Sequence, residues 1–252
     1  MLEKGIHPFN ALLLLAKYPV PGTVKTRLAH GTAGNGYQGL EHLPDESGNP
    51  VGKAAADQIA ADLYRAILTD RFEAHSGQTY KLYLGISQLE HQEEFLRITG
   101  PDTAYCPAEG ANLGEMMHNI FARLLSSHDC VVISGSDIPY IPEGLVQEVF
   151  SNLDDHDVVL VPAMDGAYNM IGMRKLHDVF GIARWSSGSE LVETINLMTT
   201  KGISHKVLSD RPIMDVDILD DLKSVSATLL PGQAPRTTAL LDTMQYLLKS
   251  ID

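Results

Sequence analysis

Apolar residues gather in short, dense runs along this chain. Residues 11–16 read ALLLLA, residues 130–133 CVVI and residues 157–163 DVVLVPA. Such runs, bounded by turn-forming residues, predict strands buried on both faces. The leucines of the first run would also suit a helix, but Pro19 and Pro21 follow closely and favour a strand leaving into a loop. Residues 80–86 alternate as a strand does, and residues 104–106 and 204–208 read as shorter ones. Between these lie stretches of helical period. Ile59, Leu63, Ala66, Ile67 and Leu68 fall near one face of residues 54–72, and Met117, Ile120, Phe121 and Leu124 near one face of residues 113–125. Further helices are expected over residues 90–98, from near Glu143, near His177, over residues 188–200, and lastly from Ile218. Strands alternating with helices predict one α/β domain over residues 1–252, with a mostly parallel sheet flanked by helices.

One stretch breaks the pattern. Residues 31–52 hold six of the 21 glycines and two prolines, without apolar periodicity. They read as a glycine-rich loop insertion, expected to be mobile without ligand because it has little to bury. Two segments inside it imitate phosphate-binding motifs. Residues 34–39 have dinucleotide-fingerprint spacing, but no strand runs into them. Residues 48–54 are one residue short of a P-loop and lack a hydroxyl after Lys53. Both are rejected.

Charge narrows the function. With 32 acidic and 19 basic residues the formal net charge is −13, which argues against a nucleic-acid surface or an anionic membrane partner. Yet no acid occurs from Lys4 to Leu40, and that window carries Lys17, Lys25 and Arg27. A basic loop leaving a buried strand in an acidic protein is a local anion site. Cys106 and Cys130 lack metal spacing and suit a reducing compartment, and the histidines lack zinc spacing. No apolar run approaches the roughly 20 residues that span a bilayer, and no cleavage-like leader is evident. A cytoplasmic protein without membrane insertion is expected.

The candidate chemistry lies at strand ends. The run at residues 130–133 leads into Ser134-Gly135-Ser136-Asp137 and is stopped by Pro139 and Pro142. In an open α/β sheet the carboxyl ends of strands open on the ligand crevice. A carboxylate there, beside a glycine that lets ligand approach the backbone, can hold a hard cation and its phosphates. Asp165 follows the strand at residues 157–163. Asp215 and Asp217 precede the helix from Ile218, and one of them is expected to cap it. Mg²⁺ takes one or two protein carboxylates, so Asp137 with one of the later pair would suffice. Trp185, the sole tryptophan, sits in a loop and reads as an aromatic platform for a sugar or base. It precedes Ser187-Gly-Ser-Glu190, which reads as a capping box.

Six segments in order carry a resemblance: AKYPVPGTVKTRL (16–28), LGEMM (113–117), GSDIPYI (135–141), DGAYNMIGM (165–173), ARWSSGSELVETI (183–195) and DVDILDDL (215–222). Together they resemble a family of bacterial glycosyltransferase-like proteins, formerly a domain of unknown function and linked to arsenosugar biosynthesis. That family is similar to the nucleotide-diphospho-sugar transferase superfamily, with its GT-A type fold. The resemblance implies that Lys17, Lys25 and Arg27 line a nucleotide phosphate loop, with Gly22, Gly135 and Ser136 beside them. It implies a metal site at Asp137 and Asp217, with Asp215 as the alternative to Asp217, holding Mg²⁺ or Mn²⁺. Asp165 would be the catalytic carboxylate facing sugar or acceptor, placed to deprotonate the acceptor hydroxyl, with Gly166, Tyr168 and Trp185 on that side. The chain departs from the family at Ala167, where a second glycine is usual, and at Ile138, where cysteine is common.

The activity so implied is metal-dependent transfer of a sugar from a nucleoside diphosphate-sugar to a small-molecule acceptor. Lys-Thr-Arg-Leu also resembles the loop of phospholactate guanylyltransferases, which keeps a second reading open. That reading is nucleotidyl transfer from a nucleoside triphosphate to a phosphorylated small molecule, with release of pyrophosphate. A non-catalytic nucleotide-binding protein is the third. Base, sugar, acceptor, stereochemical outcome and oligomeric state are left open by the residues.

Overall fold

β1 (Asn10–Leu15) is the run of leucines, and it lies at the centre of a seven-stranded sheet. The computed structural model describes residues 10–32, 37–101, 103–210 and 213–250. The other strands are β2 (Lys81–Ile86), β3 (Ala104–Pro107), β4 (Cys130–Gly135), β5 (Val158–Pro162), β6 (Tyr168–Met173) and β7 (His205–Val207), in the spatial order β3-β2-β1-β4-β6-β5-β7. β1 is parallel to β2 on one side and to β4 on the other, so that Leu13 stands between Tyr83 and Ile133. With both edges paired and both faces covered, Ala11 to Leu14 are fully buried, as a continuous apolar run requires.

Alternation along β1 divides the core. Leu12 and Leu14 face a cluster with Leu68 and Phe72 from α2 (Lys53–Ala74), Phe95 from α3 (Gln92–Thr99) and Val149 from α5 (Leu145–Asn152). Ala11 and Leu13 face Met117, Ile120 and Phe121 from α4 (Leu113–Leu124), with Met198 from α6 (Glu190–Lys201). The expected mostly parallel α/β sheet flanked by helices is present. Among the described residues, no helix is long and apolar enough to cross a membrane.

The structure adds a strand to the sequence reading and corrects it at two helices. β6 is a strand antiparallel to both neighbours, returning from β5 through a turn in which the Ala163 N–H donates to the Ala167 carbonyl at 3.0 Å. Its reversal brings its first residue, Tyr168, to the edge where β1, β4 and β5 end. There is no helix near His177, where the chain runs irregularly between β6 and α6. The helix from Ile218, α7 (Leu219–Thr228), is not the last. α8 (Pro235–Thr243) and α9 (Gln245–Leu248) follow and bury Leu241, Met244, Leu247 and Leu248 in a third cluster, shared with α2 and α7.

Residues 31–52 have more to bury than their composition suggests. Residues 33–36 lie outside the described residues, but the remainder is anchored by burial. Leu40 and Leu43 enter the third cluster, a 3-10 turn spans Leu40–His42, and the Val51 N–H donates to Leu43 at 2.9 Å. The His30 imidazole, at the end of α1 (Thr26–His30), bridges Glu41 at 2.9 Å and Asp57 at 2.8 Å, pinning this segment to α2. Two leucines among many glycines supplied the anchor that composition alone conceals.

Candidate functional site

A cleft of about 850 Å³ opens along the edge of the sheet where β1 and β4 end and β6 begins. Its lining includes Lys17, Lys25, Arg27, Gly135, Ser136, Asp137, Asp165, Tyr168, Trp185, Asp215 and Asp217. Residues from five separate stretches of sequence thus meet in one place. Gly22 and Gly166 are not among the lining residues. Gly22 turns the chain at φ 78°, and a Cβ there would rest 3.4 Å from the Asp57 carboxylate. Gly166, at φ 93°, presses against the loop before α6, so that a Cβ would lie 2.2 Å from the Gly188 carbonyl oxygen. Both glycines shape the loops that border the cleft.

One end of the cleft is built on charge. Oxygens of Asp137, Asp215 and Asp217 all lie within 4.8 Å of one another. The segment before α7 is extended, with Val216 turned into the core, so alternation leaves Asp215 and Asp217 partly open on either side of it. The Val216 N–H donates to the Asp137 carbonyl at 3.2 Å, which ties this segment to the loop after β4. Neither aspartate caps α7. The Asp221 carboxylate does so from the first turn, accepting from the Asp217 N–H at 2.9 Å and the Ile218 N–H at 3.0 Å. The Asp217 side chain is thereby free to face the cleft.

Lys25 enters this acidic group from the opposite loop. Its ammonium lies 3.0 Å from Asp137 Oδ2 and 2.8 Å from Asp217 Oδ1, and the Arg27 guanidinium pairs with the other oxygen of Asp217. Lys25 sits in the left-handed region at φ 50°, a conformation that costs a non-glycine residue about 1 kcal/mol or more and persists only where surrounding contacts hold it. Burial would lower the Lys25 pKa, but Asp137 and Asp217 outweigh it and hold the ammonium above its ordinary value. Burial likewise pushes Asp217 up, yet Lys25 and Arg27 bring it below the usual carboxylate range. Asp215 has no such partner. Burial first, then Asp137, Asp217 and Asp165, raises it from 3.8 to about 7.

That imbalance tests the fit of a metal. Three converging carboxylates share one ammonium and one guanidinium, and the negative charge left over falls on Asp215. A divalent cation with hard oxygen ligands is the species that relieves it. The donor set therefore suits Mg²⁺ or Mn²⁺.

Tyr64 on α2 is a site residue that sequence reasoning missed. Its hydroxyl hydrogen-bonds the Ser136 hydroxyl at 2.7 Å and accepts from the Lys17 N–H at 3.3 Å, while the Lys25 ammonium lies 5.8 Å from its ring centroid. The Ser136 side chain is thus buried and engaged with Tyr64, and only its position in the loop bears on a ligand. A tyrosine within the apolar stripe of α2 was the available signal, because a buried phenol needs a partner.

The other end of the cleft is polar without being basic. Asp165 Oδ1 accepts from the Ala167 N–H at 3.0 Å, the bond of a turn aspartate, which leaves its second oxygen available. Trp185 packs on α4 at Gly114, where a Cβ would meet its ring at 2.7 Å, and one face of this side chain completes the wall with Met116 and Met117. The expected capping box at Ser187 forms only in half. The helix begins at Glu190, whose Oε1 accepts from the Ser187 N–H at 2.7 Å, while the Ser189 hydroxyl donates to Glu193 at 2.6 Å.

The chain was compared with known proteins. A family described as "Uncharacterized protein conserved in bacteria (DUF2064)" matches residues 71–187. No curated protein sequence matches the chain. Among solved structures, a candidate nucleotide-diphospho-sugar transferase from Desulfovibrio desulfuricans G20 is similar at 28% identity, with TM-score 0.79 over 96% of this chain and 97% of that one. A cytidylyltransferase from Leptospira borgpetersenii serovar Hardjo-bovis (strain JB197) shares the fold at 11% identity, with TM-score 0.50 over 98% of each chain. The chain has the nucleotide-diphospho-sugar transferase-like fold.

Proposed function

We propose that residues 1–252 act as one metal-dependent glycosyltransferase domain, which moves a sugar from a nucleoside diphosphate-sugar to a small acceptor. The observation that carries this reading is the division of one cleft into a cation-binding end, where Lys25 and Arg27 meet Asp137, Asp215 and Asp217, and an uncharged or acidic end around Asp165. Similarity to the candidate sugar transferase supports it. A Mg²⁺ or Mn²⁺ ion at the three aspartates would supply charge neutralisation to the departing diphosphate. Lys25 and Arg27, with Lys17 beside them, hold that diphosphate and stabilise the charge that grows on it. The loops after β1 and β4, with Gly135 at the crossing, position the nucleotide. Asp165 offers its free oxygen to the acceptor hydroxyl as general base. Cys106 and Cys130, both unpaired, are in keeping with a cytoplasmic setting.

The rival is nucleotidyl transfer, which the convergence of three cations on one loop also favours, since a triphosphate needs that much positive charge. The deciding experiment is a panel of nucleoside triphosphates with phosphorylated small molecules, read by pyrophosphate release, beside calorimetry of nucleoside diphosphates with Mg²⁺. The glycosyltransferase reading expects tight, metal-dependent diphosphate binding that is lost in Asp137→Asn, with no pyrophosphate. Asp137-dependent pyrophosphate release would replace it with the rival.

A further inference from the structure

A second set of polar groups lies at the acidic end of the cleft, beyond Asp165. Glu190 is 4% exposed, yet it is one of the cleft's lining residues. One of its carboxylate oxygens is held by the Ser187 N–H. The other, Oε2, is sealed from solvent and has no hydrogen-bond partner. The Tyr168 and Thr194 hydroxyls are buried nearby and lie close enough to act on each other. Tyr168 starts β6, Glu190 opens α6 and Thr194 lies one turn further along the same face of α6. Glu190 and Thr194 both act on the Tyr168 phenol, whose pKa burial raises well above the ordinary value. A buried carboxylate oxygen without a donor forfeits its hydration unrepaid, and buried polar groups left in this state call for a missing partner.

The charges around it define that partner. Among the described residues that line the cleft, the only cations are Lys17, Lys25 and Arg27, all on the β1–α1 loop. The sheet order places β4 and then β6 between that loop and the turn that carries Asp165. The far end therefore offers Asp165 and Glu190 as its charged groups, with the phenol of Tyr168 and the apolar wall of Trp185, Met116 and Met117. A phosphate or carboxylate there would meet two carboxylates and no counter-charge, a placement that like-charge repulsion penalises.

We infer that Glu190, with Tyr168, forms the recognition subsite for the acceptor, and that it takes a neutral or cationic small molecule bearing hydroxyl or amine donors, not a phosphorylated one. This rests on the transferase reading of the cleft. The donor group hydrogen-bonds Glu190 Oε2, the Tyr168 hydroxyl accepts or donates a further bond, and the apolar flank of the molecule lies on Trp185.

The test is calorimetry on the full chain with Mg²⁺, using glycerol, glucose, ethanolamine, glucosamine and the phosphate monoester of each. The parent compounds are expected to bind and their monoesters to bind about tenfold more weakly or not at all. Glu190→Gln keeps the Ser187 bond and should weaken the amines by about tenfold, the loss of one charge-assisted hydrogen bond. Tyr168→Phe serves if that variant fails to fold. Monoesters that bind more tightly than their parents, or parents that do not bind at all, overturn the inference. Unchanged binding in both variants also overturns it, because the buried oxygens then hold internal water only. Nucleoside diphosphate binding at Asp137 is measured separately. If it is absent while the parent compounds still depend on Glu190, the subsite stands and the nucleotide reading falls.

Discussion

Asp215→Asn should make the metal-free protein more stable above neutral pH and at the same time weaken its hold on divalent cations. In the folded chain, burial and then Asp137, Asp217 and Asp165 raise Asp215 from 3.8 to about 7. In the unfolded chain the carboxyl keeps its ordinary value. Between about pH 4 and about pH 7 the folded state therefore binds more protons than the unfolded state, and stability falls as pH rises through that window. At about 1.36 kcal/mol per pH unit the whole interval amounts to about 4 kcal/mol. Water in the open cleft screens part of this, so the asparagine variant should gain about 2 kcal/mol at about pH 8. Asp217 works in the opposite sense, but its pKa is lowered by Lys25 and Arg27, and its window lies below about pH 4. Urea denaturation with chelator present, repeated from about pH 5 to about pH 8, measures the effect. Burial, with Arg71 beside it, lowers His75 from 6.5 to about 3 in both chains, which adds the same rise with pH up to about 6.5 to both midpoints, so the native midpoint should fall behind that of the variant as pH rises to about 8. Added Mg²⁺ or Mn²⁺ should then stabilise the native chain far more than the variant, because binding to the folded state alone raises stability by mass action. A variant no more stable than the native chain at about pH 8, or a difference between the two that does not grow with pH, would refute the reasoning.

Two further outcomes follow from packing around the cleft. Tyr64→Phe removes the bond to Ser136 and the bond from the Lys17 N–H, and it strands a buried hydroxyl; stability should fall by about 1–2 kcal/mol and nucleoside diphosphate affinity with it, and calorimetry that shows native affinity would limit Tyr64 to packing. Gly114→Ala drives a methyl to within 2.7 Å of Trp185 and 3.0 Å of the Phe180 carbonyl oxygen, and overpacking of about 1–3 kcal/mol should exceed the helix-propensity gain of about 1 kcal/mol. Since Trp185 is the sole tryptophan, its emission should shift to the red, and an unchanged spectrum would show that the ring is not packed there.

Much of this architecture follows from local chemistry that a sequence displays. The runs at residues 11–16, 130–133 and 157–163 had one way to bury an unbroken apolar surface, and they became β1, β4 and β5. The alternation Asp-Val-Asp at 215–217 was enough to turn both carboxylates away from a buried valine. A loop free of acids was enough to single out Lys17, Lys25 and Arg27, which line one cleft. What local pattern could not supply was anything set by approach across the fold. The Lys25 ammonium finds Asp137 and Asp217 from 112 and 192 residues away, and that contact, not composition, decides which carboxylate is neutralised and which is left strained. Tyr64 reads as one more apolar position on a helix until α2 packs beside the loops after β1 and β4. Tyr168-Asn-Met-Ile-Gly-Met has the residues of a strand or a buried loop alike, and only pairing with both β4 and β5 makes it antiparallel and carries Tyr168 to the site edge. The Glu190 carboxylate reads in sequence as half of a capping box. Burial beside Tyr168 and Thr194 turns its second oxygen into an unmet hydrogen bond, because an unsatisfied group is a property of its surroundings and not of the residue that carries it.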